Sequence, residues 1–187
     1  MKQNRENPFF ETYRTPFGTP PFDQIETEQY EPAFDEGIWQ LDEEVRAIAD
    51  NTELPTFENT IIALERSGKL LDKVISAFFN VLNAEADDEM MDISQRVSPK
   101  LSESSNNIYL NEQLFARVKS VYDRKDELHL PMEDARLLEK TFEAFCARGA
   151  ALGPEEKEKY RKLSSELSLL SLTFDQNALK DKNRYEL

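Results

Sequence analysis

The chain reads as all-α: a bundle of about six mostly antiparallel helices, preceded by an extended, Pro- and aromatic-rich N-terminal arm. Three observations predict this. Apolar residues recur at steps of three and four along most of the chain, the spacing of one buried helix face. No segment alternates with a period of two, as a half-buried strand would. Only 5 of the 187 residues are glycine, which disfavours a turn-rich sandwich or barrel and favours long helices with short, antiparallel connections. A hydrophobic content of 39% beside 32% charged residues is that of a globular chain with a core.

Residues 1–26 are expected to form the arm, packed on a helical domain of residues 27–187. Pro8, Pro16, Pro20 and Pro21 fix φ and remove donors, so this stretch is extended. Phe9, Phe10, Tyr13, Phe17 and Phe22 lie between the prolines and need an apolar surface to cover them. The first helix carries Tyr30, Phe34, Ile38, Leu41, Val45 and Ile48 on one face. Thr27 is its expected N-cap, Glu28 favours its first turn, and Pro32 comes early enough to be tolerated. Asn51 to Pro55 separates it from a second helix capped by Thr56. There Phe57, Ile61, Leu64, Gly68, Leu71, Ile75, Phe78 and Leu82 form a seam about 26 residues long, or roughly 39 Å. Gly68 in that seam suggests close approach of a neighbouring helix, since glycine costs about 1 kcal/mol against alanine in a helix.

A third helix is expected from Asp87, with Met90, Ile93, Val97 and Leu101 as its stripe and Pro99 kinking or interrupting it. Leu114, Val118 and Val121 mark a shorter fourth helix capped near Asn111. Pro131 opens a fifth, with Leu138, Phe142 and Phe145 facing inward. Gly153-Pro154 marks the last boundary. Tyr160, Leu163, Leu167, Leu170 and Phe174 then form the apolar stripe of a sixth helix. No unit repeats at a fixed 20–50 residue period.

The charge balance narrows the partners. A net charge of -14 leaves no basic stripe for a nucleic-acid backbone or an anionic membrane surface. No run reaches the ~18 apolar residues of a membrane span, and the start Met1-Lys-Gln-Asn-Arg-Glu-Asn-Pro has no apolar signal core. The chain is expected to be soluble and cytoplasmic, or periplasmic if a signal peptide has been removed. One cysteine makes no internal disulfide. Cys146, in the apolar run Phe142–Ala147, is expected to be a buried small hydrophobe.

Chemistry is harder to place. A catalytic zinc needs three protein ligands, and H-E-x-x-H sets two imidazoles one helical turn apart with a Glu base between them. The chain has one histidine, His129, and so cannot build that motif. A Glu-x-x-His pair on each of two helices is excluded by the same count. His129 is expected to be an exposed or half-buried linker residue. The acidic groups Asp42-Glu43-Glu44, Asp87-Asp88-Glu89 and Glu155-Glu156-Lys157-Glu158 read as solvated faces or favourable first turns, and none matches a calcium loop. There is no phosphate-binding glycine loop and no G-x-S-x-G elbow. The expected catalytic, cofactor-binding and metal-binding residues of this chain are therefore none.

Several stretches together carry a resemblance. These are Thr15-Pro16-Phe17-Gly18 with Pro20-Pro21-Phe22, then Tyr30, Ala33-Phe34 and Gly37-Ile38. Pro55-Thr56-Phe57-Glu58-Asn59-Thr60-Ile61 follows, running on to Leu64-Glu65-Arg66-Ser67-Gly68. Further on come Ile108-Tyr109-Leu110-Asn111, Leu114-Phe115 and Arg117-Val118. In order and over essentially the whole chain, they resemble the N-terminal part of bacterial peptidyl-dipeptidases, of the thimet oligopeptidase and oligopeptidase A family of zinc metallopeptidases.

The resemblance implies a mostly helical, clam-like hydrolase whose deep channel admits short peptides, with dipeptides released from their C-terminal end. It implies zinc in the parent enzyme and none in this chain, because the family's zinc helix lies beyond residue 187. The segment Asn183-Arg184-Tyr185-Glu186-Leu187 falls where the family sequence continues, so the chain is expected to be an N-terminal fragment, inactive alone, that forms part of the channel wall. Its partners would be the remainder of the parent peptidase and, in the parent, short peptide substrates. Two alternatives stay open: a free-standing helical protein-interaction module, and self-association through an uncovered helical face.

Overall fold

In a computed structural model, which describes residues 7–85 and 87–184, the regular secondary structure is all helical, with no strand among those residues. Short 3-10 turns at Pro8–Phe10, Pro16–Gly18 and Thr27–Gln29 precede α1 (Tyr30–Ala49). A π-helical segment, Phe57–Ile62, runs into the short helix α2 (Ala63–Glu65). Then come α3 (Lys69–Glu85), α4 (Asp88–Tyr109), α5 (Glu112–Tyr122), α6 (Met132–Ala147) and α7 (Pro154–Arg184). The all-α expectation is borne out. Residues 1–6, where no signal core was read, and residues 185–187 of the closing segment lie outside the described residues.

The chain divides into two compact units, and α1, α4 and α7 each contribute residues to both. One unit comprises the chain up to Gln40, Gly68–Lys100 and the chain from Ser168; the other comprises Leu41–Ser67 and Leu101–Leu167. The first has an aromatic centre. Phe9 packs at a tilt on Tyr30 at 5.2 Å, Tyr30 meets Phe78 edge-on at 5.1 Å, and Phe34 meets Phe78 edge-on at 5.3 Å. Such offset and edge contacts each add about 0.5–1.5 kcal/mol beyond area burial. The second unit is built around Val45, Ile48, Phe57, Ile61, Leu114, Val118, Val121, Leu138 and Phe145.

Several local expectations hold. Asn111 caps α5 by accepting from the Leu114 amide at 2.9 Å, and Asp87 accepts from the Met90 amide at 2.8 Å to start α4. Three others are corrected. The seam from Phe57 to Leu82 is not one helix. It breaks after Glu65, and α3 restarts at Lys69 because Gly68 sits at φ 76°, a left-handed conformation that ends a helix. A close approach is made at Gly37 of α1, where a Cβ would lie 3.0 Å from the Leu71 Cα of α3.

Pro99 does not interrupt α4, which continues to Tyr109. The start of α1 is also reached differently. Thr27 lies within the preceding 3-10 turn, whose N-cap is Glu26, and the Glu26 amide donates to Gln29 Oε1 at 2.8 Å. The stripe of the last helix is an uncovered face. Leu163, Leu167, Leu170 and Phe174 are 65%, 64%, 61% and 72% exposed.

The arm aromatics divide in the same manner. Phe9 is buried, whereas Phe10, Phe17 and Phe22 are exposed.

Candidate functional site

The stretch Pro55–Ile61 is held by a network of hydrogen bonds around one buried cation. Thr56 Oγ1 accepts from the Asn59 amide at 3.1 Å, while Asn59 Oδ1 accepts from the Thr56 amide at 2.8 Å, a reciprocal cap. Asn59 Nδ2 donates to the Leu54 carbonyl at 3.0 Å. Arg117 enters from α5. Its Nη1 donates to the carbonyls of Asn51 at 2.5 Å and Glu53 at 3.0 Å, and its Nη2 donates to Asn59 Oδ1 at 3.1 Å and Thr60 Oγ1 at 3.3 Å. Arg124, two turns on, donates to the Pro55 carbonyl at 2.5 Å.

Arg117 is buried, and its Nε finds no partner among the described residues. The fixed fork of a guanidinium suits this task, gathering several backbone carbonyls at once. These partners are amide and hydroxyl oxygens, with no nucleophile–base pair among them, so the site positions a loop. Arg117 carries the knot, and sequence reasoning gave it no role beyond the resemblance. The signal was available: Leu114, Arg117, Val118 and Val121 share the inward face of α5, so a cation stands in an apolar stripe.

In the other unit Lys73 of α3 holds the arm. Its Nζ donates to the carbonyls of Phe9 at 2.8 Å and Glu11 at 2.6 Å, and it lies 3.8 Å from the Tyr13 ring centroid. Burial pushes the Lys73 amine below its ordinary value, partly offset by Glu11. Burial pushes the Tyr13 phenol up to about 12, and Tyr30 adds to the rise. Asn7 Nδ2 ties the start of the arm to the Gln29 carbonyl at 2.8 Å.

The remaining candidates are dispersed. His129 is exposed at φ 47° in the connection before α6, beside a groove lined by Lys125, Met132, Glu133 and Arg136. Cys146 is exposed, which corrects the expectation that it is buried. Leu138 and Phe145 define the inward direction of α6, and Phe142 toward the flank is half-buried. Cys146 lies beyond Phe142 on that flank and clears the core. Among the acidic groups, Asp88 and Glu89 occupy the first turn of α4, and Glu155 and Glu156 that of α7. Asp42 accepts from Ser104 Oγ at 3.0 Å. Among the described residues no group of three or more His, Cys, Asp or Glu could hold a metal ion, and none of their helices is long and apolar enough to cross a membrane.

Comparison with known proteins places the chain. Over 173 residues, 92% of its length, it is 43% identical to the dipeptidyl carboxypeptidase of Escherichia coli (strain K12). It is 39% identical to that of Salmonella typhimurium, also over 92% of the chain. Against oligopeptidase A of Escherichia coli it is 23% identical over 165 residues, 88% of the chain and 24% of the relative. No family model matches. The chain spans about a quarter of the length of the curated relatives it matches. By sequence, it corresponds to an N-terminal part of a thimet oligopeptidase family protein.

Proposed function

We propose that this chain is the N-terminal helical segment of a zinc-dependent peptidase that releases dipeptides from the C-terminus of short peptides. The single observation that carries the reading is the 43% identity to a dipeptidyl carboxypeptidase over 92% of the chain. The residues here do not fit the zinc: one histidine cannot supply paired imidazoles, and no step is routed through a metal in this segment. Its task is the wall. Helices pinned at defined points, by Arg117 in one unit and Lys73 in the other, suit a rigid surface that keeps folded proteins from the reacting centre. The proposed compartment is the cytoplasm, with the periplasm as the alternative.

The test compares the reading frame extended past residue 187 with the 187-residue chain alone. The longer polypeptide should release C-terminal dipeptides from short peptides, spare folded proteins and lose activity to a chelator. The short chain should bind no stoichiometric zinc and release nothing. Chelator-sensitive release by the short chain would overturn its role as wall, and a longer polypeptide without release would overturn the proposed activity. A free-standing interaction module is the second reading, supported by the exposed apolar face of α7. A stop codon directly after residue 187 would favour it.

A further inference from the structure

The last helix packs with its polar face. In one unit, Lys157 is buried and donates to Glu112 at 3.0 Å, Asn106 Nδ2 donates to Ser164 Oγ at 2.8 Å, and Arg161 donates to Asn107 Oδ1 at 2.9 Å. In the other, Gln176 is buried. Its Nε2 donates to Ser94 Oγ at 3.0 Å, and its Oε1 accepts from Gln95 at 3.1 Å. With these residues inward, Leu163, Leu167, Leu170 and Phe174 fall on the opposite side by the helical period, and all four are more than half exposed. Between Leu163 and Phe174 the only charged residue is Glu166. An exposed apolar stripe this long and this poor in charge has the composition of an interface core.

From this we infer that the outward face of α7 is the surface on which the polypeptide following this segment packs, through an apolar, weakly charged face of its own. The inference rests on the chain being the N-terminal part of a longer peptidase. Two facts select that occupant. The matched relatives are about four times as long as the region they share with this chain, so most of their length has no counterpart here. A second copy of the chain is the poorer partner, because each copy would bring a net charge of -14, and like charge opposes association. The helix itself is nearly neutral, with seven Lys and Arg against six Asp and Glu.

Site-specific photocrosslinking in the extended polypeptide tests this. Leu170 or Phe174 is replaced by the photoreactive amino acid p-benzoylphenylalanine, the protein is irradiated, and crosslinked peptides are mapped. The expected result is a product of monomer mass in which position 170 or 174 is joined to residues beyond 187. Crosslinks between two copies, or none above the level given by the replacement at exposed Met132, would overturn the inference. Dipeptide release is measured on the same samples. Release without crosslinks to the later chain removes the docking surface and leaves the proposed activity standing. Such crosslinks without release do the reverse. A reading frame that ends at residue 187 removes both.

Discussion

Helices α6 and α7 carry similar apolar stripes and use them in opposite ways. On α6, Leu138, Phe142 and Phe145 follow a four-three spacing, and Leu138 and Phe145 are each only 1% exposed. Phe142 stacks on Tyr122 at 3.9 Å, and Phe145 lies 6.0 Å from Phe115. On α7, Leu163, Leu167, Leu170 and Phe174 keep a four-three-four spacing and face outward. The difference lies in what the neighbouring helix offers. α5 presents Leu114, Val118 and Val121, whereas α4 presents Asn106 and Asn107 in one unit and Ser94 and Gln95 in the other. Buried amides and hydroxyls require partners, and α7 supplies them from its polar side. A hydrophobic period locates a helix and its faces, but the neighbour decides which face turns inward.

The most direct way to break this comparison is to truncate the equivalent aromatic on each helix. Phe145→Ala should cost about 3–5 kcal/mol, because the removed ring leaves a cavity in a packed core. Phe174→Ala in the same 187-residue chain should change stability by less than about 0.5 kcal/mol. Denaturant unfolding of both variants measures the contrast. A cost for Phe174→Ala approaching that of Phe145→Ala would mean that the α7 stripe is covered within this chain.

A smaller effect sharpens the other side of the argument. If hydrogen bonds orient α7, Gln176→Ala should cost about 1–2 kcal/mol, since Ser94 and Gln95 each lose a partner. Calorimetric or denaturant unfolding reads this change. A neutral result would leave the polar face without an orienting role.

The same physics explains what was legible in the sequence. The helical class, the cap at Asn111, the start of α4 at Asp87 and the inward residues of α6 were readable because local chemistry determines each of them. The break at Gly68 was not. A glycine in a regular seam satisfies the pattern whether it admits a neighbour or takes a left-handed φ, and the choice depends on tertiary contacts. A close approach is found at Gly37, which lies against the Leu71 backbone. Which face of α7 turns outward was not legible, because periodicity does not record the polar groups on α4. At the Pro55–Ile61 stretch the resemblance was visible, but its anchor, Arg117, lies more than fifty residues away and is joined to it only by folding. The exposed Cys146 follows the same rule: one helical step past Phe145 takes a residue out of the core.

The smallest effect comes from charge at the surface and separates the two kinds of polar contact by pH. Arg96 of α4 donates to Glu31 of α1 through Nη2 at 2.9 Å and Nε at 3.0 Å, while Lys100 stands 3.7 Å from Glu31 and 2.5 Å from Asp35. The hydrogen bond from Arg96 holds the Glu31 carboxyl below its usual range, aided by the charges of Arg96 and Lys100. A carboxyl whose pKa falls on folding stabilises the fold above its unfolded pKa, about 4.3 for Glu, and that contribution fades as pH drops through the lower folded value. The pair is partly exposed, so Glu31→Gln should lower Tm by only about 2 °C or less near neutral pH. The difference from the unsubstituted chain should shrink steadily below about pH 4 and diminish in high salt. Gln176→Ala involves no titrating group, so its cost should stay constant over the same pH and salt range. Thermal melts of the two variants from pH 7 to pH 3 would therefore distinguish an ion pair lying on the surface from the hydrogen bonds that orient α7. Parallel pH dependence in both would mean that the polar face of α7 is held by charge after all.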